Sequence, residues 1–569
     1  MVTYNKHFGH RRKSATSYGS ISETRIPENS LEELENIHGA DEDEDIKLSD
    51  IPNLWIIEAA LFTNVFLSGF DGTVTASTYQ TIGNEFNHMN ISSWITTAYL
   101  ITSTSFQPLY GSFSDALGRR NCLFFANTSF TIGCLACGLS PNIVVLSFMR
   151  ALTGIGGGGL ITLSTIVNSD MIPSSKRGIF QAFQNLLLGL GAICGASFGG
   201  SIASSIGWRW CFFVQVPICI TNSLIMSSYV PNQKEYEDRE IGFLFHPKKI
   251  LKDIDVTGSV FIIIGLTLQL LYLSLGSSKV GVSWTSPSVL PLLFASGIIL
   301  VLFVYNEAKT SARAIIPLEL MRSSFSFVVL TISILVGFAS YAYLFTLPLF
   351  FQIVLGDSTA KAGLRLTIPS LFTPVGGLIT GICMSRYNCL QILLYAGVFL
   401  MALGNFLFLF IEKGSPNWLV GLFLIPANLG QGITFPATLF TFIFAFPKSR
   451  QATATSTLYL FRSIGSVWGV AMSTGVIQLY FGKSLRSNLK DLLDEDKINE
   501  LVTKITSNSS YIEKLHGELK DVVIDCFDSS TKKAHLLSTI LSLLALAFCV
   551  IKEFLKKPKI KEEGTYCER

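Results

Sequence analysis

Fourteen apolar runs, each long enough to cross a bilayer, leave this chain few ways to fold. They lie near 54–76, 93–112, 122–140, 143–168, 179–203, 210–230, 256–276, 288–306, 325–347, 362–384, 390–411, 417–445, 452–481 and 535–552. Backbone that enters lipid must satisfy its own hydrogen bonds, and runs of this length do so as helices. The expected fold is therefore an all-α integral membrane protein with 14 transmembrane helices. Of the 569 residues, 49% are hydrophobic and only 15% charged, which excludes a soluble multidomain protein. A net charge of +3, with no basic stretch interleaved with aromatics, gives no reason to expect nucleic acid.

An even number of spans puts both termini on one side, and the cations choose which. Arg119 and Arg120, Lys176 and Arg177, Lys234 to Lys252, Lys309 to Arg322, Arg386, Lys448 and Arg450, and the tail from Lys552 fall in alternate loops. Those loops and both termini are expected in the cytosol. Residues 1–52 are polar, with basic and acidic runs, and read as a disordered cytosolic tail. The opposite face carries the 77–92 loop and a long loop, 482–534, with glycosylation sequons at Asn90 and Asn508. The 11 cysteines are scattered, mostly within apolar runs, so no disulfide framework is expected. Cys134 and Cys137 have redox-motif spacing but sit mid-span, where packing is the better reading. No cofactor or metal is expected.

A charge at membrane depth is costly and marks a candidate site. Asp71 is the one carboxylate well inside a span, and Glu58 lies near the start of the same run. Arg150 and Arg462 are the deep cations. The first span runs outward and the fourth inward, so Asp71 and Arg150 can meet at similar depth. Such a pair is either a proton-sensitive switch, broken when Asp71 is protonated, or a static buried salt bridge. Gly154, Gly156 and Gly159 follow Arg150 at dinucleotide-binding spacing, but without a preceding strand they serve close helix packing. Gly191, Gly195, Gly199 and Gly200 suggest a close, bendable contact in the fifth span. Asn185, Gln215, Asn428 and Arg462 are candidate substrate contacts, with interhelical hydrogen bonding as the alternative.

Between the second and third runs stands a tight basic turn, Gly111 to Arg120, with Gly111 and Gly118 allowing the reversal and Asp115 able to pair with Arg119 or Arg120. In that place it resembles the signature loop of the major facilitator superfamily of secondary transporters. Together with Phe70 to Val74, Arg150 to Gly159, Gly191 to Gly200, Trp208 to Trp210, Leu347 to Gln352 and Phe461 to Gly465, the chain over roughly 53–552 resembles the fourteen-span drug:proton antiporter-type family. That resemblance implies six-helix halves at 53–230 and 325–552 (the second including loop 482–534), inserted helices at 256–306, cytosolic loops at 231–255 and 307–324, and a cytosolic tail at 553–569. Each half would hold inverted three-helix repeats around a central cavity.

One departure is informative. The fifth span carries Gly195-Ala196 where the antiporter motif has Gly-Pro. With Ile206 to Arg209, Gln215 to Pro217 and Asn508 to Ile512, it is similar to the fungal vacuolar basic amino acid transporters. The resemblance implies a monomeric carrier in the vacuolar membrane that exchanges protons for lysine, arginine or histidine. Asp71, Arg150 and Glu58 would couple, and the 111–120 turn would gate the cytosolic side. A plasma-membrane multidrug or siderophore exporter is the alternative within the class. A non-transporting nutrient sensor is the alternative outside it.

Overall fold

A computed structural model describes residues 52–86, 92, 94–230, 254–276, 286–310, 312, 314–357, 359–387, 389–447, 450–489, 515 and 517–555. The regular elements among them are helices. The first group is α1 (Leu54–Glu85), α2 (Trp94–Leu117), α3 (Arg119–Gly138), α4 (Ile143–Met171), α5 (Ser174–Ser205), the single turn α6 (Trp210–Phe213) and α7 (Gln215–Tyr229). Two helices follow, α8 (Val256–Gly276) and α9 (Leu290–Lys309), then a short α10 (Leu318–Arg322). The last group is α11 (Ser324–Ile353), α12 (Thr359–Ser370), α13 (Phe372–Tyr387), α14 (Leu390–Leu407), α15 (Asn417–Ile443), α16 (Gln451–Leu489) and α17 (Glu518–Glu553).

The packing repeats. In the first group α1 lies along α5, α2 along α4, and α3 against α4 and α7. In the last group α11 lies along α16, α13 along α15, and α14 against α15 and α17. The groups meet chiefly through α2 with α16 and α5 with α13. The pair α8 and α9 stands outside both, with α8 packed on α2 and α16.

Twelve of these helices are long and apolar enough to cross a membrane. Two of the fourteen expected runs are built differently, for identifiable reasons. Helix α2 is rich in hydroxyls because it faces protein on several sides: Thr102 donates to the Ala151 carbonyl at 2.8 Å, and Ser105 meets Thr267 of α8 at 3.4 Å. The run at 362–384 breaks between Ser370 and Phe372 into α12 and α13. Pro369 and Pro374 flank that break, and a proline inside a helix removes a hydrogen bond and crowds the preceding turn. Helices α16 and α17 also extend from either side into the segment expected to be the 482–534 loop. At 1.5 Å per residue the 39-residue α16 reaches roughly 60 Å, beyond any bilayer core. Asn90 and Asn508, the two sequons, lie outside the described residues.

Candidate transport site

Asp71 and Arg150 are brought together at the centre of the first group, and neither side chain is exposed. Arg150 Nη1 donates to both carboxylate oxygens of Asp71, at 2.8 and 2.7 Å. Its other two nitrogens are also engaged: Nη2 reaches Thr75 Oγ1 at 3.2 Å and Nε the Ile95 carbonyl at 3.3 Å. The guanidinium plane lies 4.5 Å from the Tyr99 ring centre and 5.7 Å from that of Phe212. Gln215 donates from Nε2 to Asp71 Oδ1 at 3.4 Å, while its own Oε1 is buried without a partner. Four helices, α1, α2, α4 and α7, thus converge on one ion pair. Desolvating two charges is expensive, and hydrogen bonds at every guanidinium nitrogen and both carboxylate oxygens offset that cost. A proton arriving at Asp71 would remove the anion and leave Arg150 buried with a positive charge and no counter-ion.

The 111–120 stretch closes one end of the bundle, but it is not a turn throughout: α2 continues through Gly111 to Leu117, and the reversal falls at Gly118 alone. Gly118 has φ of 90°, a backbone conformation that favours glycine, and starts α3. Arg119 bridges Asp115 at 2.6 Å and Asp170, at the end of α4, at 2.8 Å; Arg120 is half-buried beside it. Gly111 sits against α16 so tightly that a Cβ there would lie 2.0 Å from Ser456 Oγ and 3.0 Å from the Ala452 carbonyl. Among the described residues, hydrogen bonds that cross between the two helix groups in this turn-side half include Gln107 with Ser463 at 2.7 Å, Thr165 with Tyr459 at 3.1 Å, and Arg177 with Gln451 at 3.0 Å. A transport cycle that opens this end must break them.

A repeated two-group bundle with a buried ion pair and a hydrogen-bonded seam between the groups has known counterparts, and residues 61–470 match the Major Facilitator Superfamily. The chain belongs to that superfamily. It is 76% identical over 473 residues to vacuolar basic amino acid transporter 2 of Saccharomyces cerevisiae, covering 83% of this chain and 100% of the relative. It is 35% identical over 478 residues to multidrug resistance protein fnx1 of Schizosaccharomyces pombe, covering 84% and 88%. The solved structure of the proton:xylose symporter XylE superposes with a TM-score of 0.54 at 15% identity, covering 87% of this chain and 95% of the other, which shows the same fold. This facilitator is a multi-pass membrane transporter and not an enzyme.

The other candidate residues of the transporter fall into distinct settings. Glu58 is fully buried in α1, and among the described residues neither of its carboxylate oxygens has a hydrogen-bond partner. Gly191 and Gly195 abut α1, where added Cβ atoms would lie 2.2 Å from the Phe66 carbonyl and 2.3 Å from that of Phe70. The Gly199 carbonyl accepts from Cys211, and Gly200 faces open space and takes no part in the contact. Helix α5 runs through all four without a break. Asn185 accepts from Gln181 at 3.4 Å within α5. Asn428 donates to the Leu424 carbonyl at 3.0 Å and the Tyr343 hydroxyl at 3.4 Å, and accepts from Thr373 at 3.4 Å. Arg462 donates to the Phe435 carbonyl at 2.8 Å and to Thr438 Oγ1 at 3.1 Å.

Two polar centres were missed from the sequence. His535 of α17 is buried between Thr346 of α11, at 2.8 Å, and Asn405 of α14, at 3.4 Å, and stacks on Phe408. A lone histidine in an apolar run was the available signal. Glu85, at the end of α1 beyond the apolar stretch Leu54–Thr75, accepts at 2.6 Å from both Trp208 Nε1 and Arg209 Nη1. Partial burial raises the Glu85 pKa, but the Arg209 and Trp208 hydrogen bonds and the Arg209 charge outweigh it and hold the carboxyl below its ordinary range. Stability from a depressed carboxyl is present above its unfolded pKa and is lost as pH falls through the folded one. Glu85→Gln is therefore expected to lower the thermal stability of the purified protein by about 1 kcal/mol at neutral and mildly acidic pH. The difference from wild type should vanish only below the ordinary glutamate range. A difference that disappears in mild acid would contradict this reading.

Proposed function

We propose that this transporter is a proton-coupled antiporter that carries basic amino acids from the cytosol into the vacuole, as a monomer with both termini in the cytosol. The observation that carries the substrate and the membrane is the 76% identity with vacuolar basic amino acid transporter 2 along the whole of that relative. The cations of Arg119, Arg120, Lys176 and Arg177 support a cytosolic turn end. The coupling group is Asp71. An acidic lumen drives protons outward, and each proton that reaches Asp71 from the lumen releases Arg150 and lets the seam rearrange; deprotonation on the cytosolic side restores the pair. Asp115 and Arg119 hold the cytosolic gate. The two six-helix halves are 53–230 and 325–552, with 256–306 inserted between them.

The test is ATP-driven uptake of labelled lysine into isolated vacuolar vesicles, with and without the gene. Uptake should require the gene and collapse when a protonophore dissipates the gradient. The likeness to multidrug resistance protein fnx1 favours a second reading, drug export. Unchanged lysine uptake in the deletion strain, together with new drug sensitivity, would select that reading.

A further inference from the structure

Arg150 and Arg462, one buried in each half of the bundle, are neutralised differently. Arg150 has Asp71 at hydrogen-bond distance. Arg462, in α16 of the other half, is 7% exposed and, among the described residues, has no carboxylate in contact. Its described neighbours include the Phe435 carbonyl, Thr438, the rings of Phe435 and Tyr459 at 4.4 and 5.3 Å, and Tyr341. Its Nε is buried and has no hydrogen-bond partner. Neutral acceptors and ring faces compensate only part of the cost of burying a full positive charge. Such a site lacks an anion.

The position of Arg462 indicates where that anion comes from. Its neighbours on α16, Tyr459 and Ser463, are the residues that bond across the seam to Thr165 and Gln107 of the first half. Arg462 therefore stands at the surface along which the halves must part, the place a solute passes in an alternating-access carrier. The free Nε and the planar fork suit a carboxylate, which can accept from two guanidinium nitrogens at once.

We infer that Arg462 is the receptor for the α-carboxylate of the transported amino acid. This inference rests on the amino acid reading proposed above and adds to it the residue that distinguishes an amino acid from a simple polyamine or amine drug. Phe435 and Tyr459 hold the guanidinium flat and leave Nε free for the substrate.

The test is competition against labelled lysine uptake in vacuolar vesicles, by lysine and by lysinamide, which keeps both amines and lacks the carboxylate. In wild type, lysinamide should compete at least about tenfold more weakly than lysine, the value of a hydrogen-bonded charge pair. In Arg462→Gln that preference should disappear, with lysine affinity falling to the level of lysinamide, while Arg462→Lys should keep part of it. A merely structural arginine would weaken both competitors equally and leave their ratio unchanged, which would overturn the inference. Equal competition by lysine and lysinamide in wild type would overturn it without any variant, so a poorly folded Arg462→Gln does not protect it. Absence of lysine uptake in wild type would instead refute the transport reading and the inference together.

Discussion

Replacing Asp71 by asparagine is expected to abolish gradient-driven lysine uptake and to destabilise the transporter by about 3–5 kcal/mol, because it leaves Arg150 buried without its anion. The two effects must be separated, since a static salt bridge and a proton switch both predict loss of uptake in the single variant. The double variant Asp71→Asn with Arg150→Gln separates them. Replacing both charges by neutral groups of similar shape removes the unpaired ion and should restore most of the stability, measured by thermal unfolding in detergent. A purely structural pair would then also regain coupled uptake. If Asp71 carries the proton, the double variant folds, and uptake driven by the gradient stays at background. Exchange of internal for external lysine without a gradient should survive in it, because that half-cycle needs no net proton movement. Recovery of gradient-driven accumulation by the double variant would sink the assignment of Asp71 as the coupling group.

How much of this was legible beforehand depends on which physical constraint was at stake. Span positions are set by a coarse one, the need to satisfy backbone groups across lipid, and α1, α4 and α11 begin within a residue or so of the apolar runs. Hydropathy is blind where a span faces protein rather than lipid, which is why α2, with Thr102, Ser105 and Gln107 turned to three neighbours, fails as an apolar span and still packs as one. The meeting of Asp71 and Arg150 could be anticipated because a buried charge needs an opposite one and only two helices offered them at compatible depth. Their remaining partners could not. Thr75, the Ile95 carbonyl, Tyr99 and Gln215 depend on helix rotation, which a linear pattern of apolar residues does not specify. Gln215 illustrates the difference: interhelical hydrogen bonding was one of its two readings, but that the partner is Asp71 was not legible. His535 was missed for the reverse reason, since its partners Thr346 and Asn405 come from helices far away in sequence.

Gly111→Val is expected to stall transport without unfolding the protein. The added side chain enters a contact in which even a Cβ would lie 2.0 Å from Ser456 Oγ, 2.7 Å from Ser456 Cβ and 3.0 Å from the Ala452 carbonyl. Rotating the serine hydroxyl relieves the first of these distances only; the others require α2 and α16 to separate. Overpacking of this kind costs about 1–3 kcal/mol. The seam is the element that must open in the other half of the cycle, so the cost falls on the closed state and not on the fold as a whole. The closed state should lose about five- to 150-fold in population relative to the open one. Maximal lysine uptake should fall accordingly, and a cysteine introduced at Ala182, buried against Gly377 in the same seam, should become reactive towards reagents added from the turn side. The milder pair Gly111→Ala with Ser456→Gly removes the two nearest colliding atoms, leaves only the 3.0 Å approach to the Ala452 carbonyl, and should recover uptake that Gly111→Ala alone loses. Failure of that recovery, with the Ala182 cysteine still unreactive in Gly111→Val, would mean that the α2–α16 contact is not the gate.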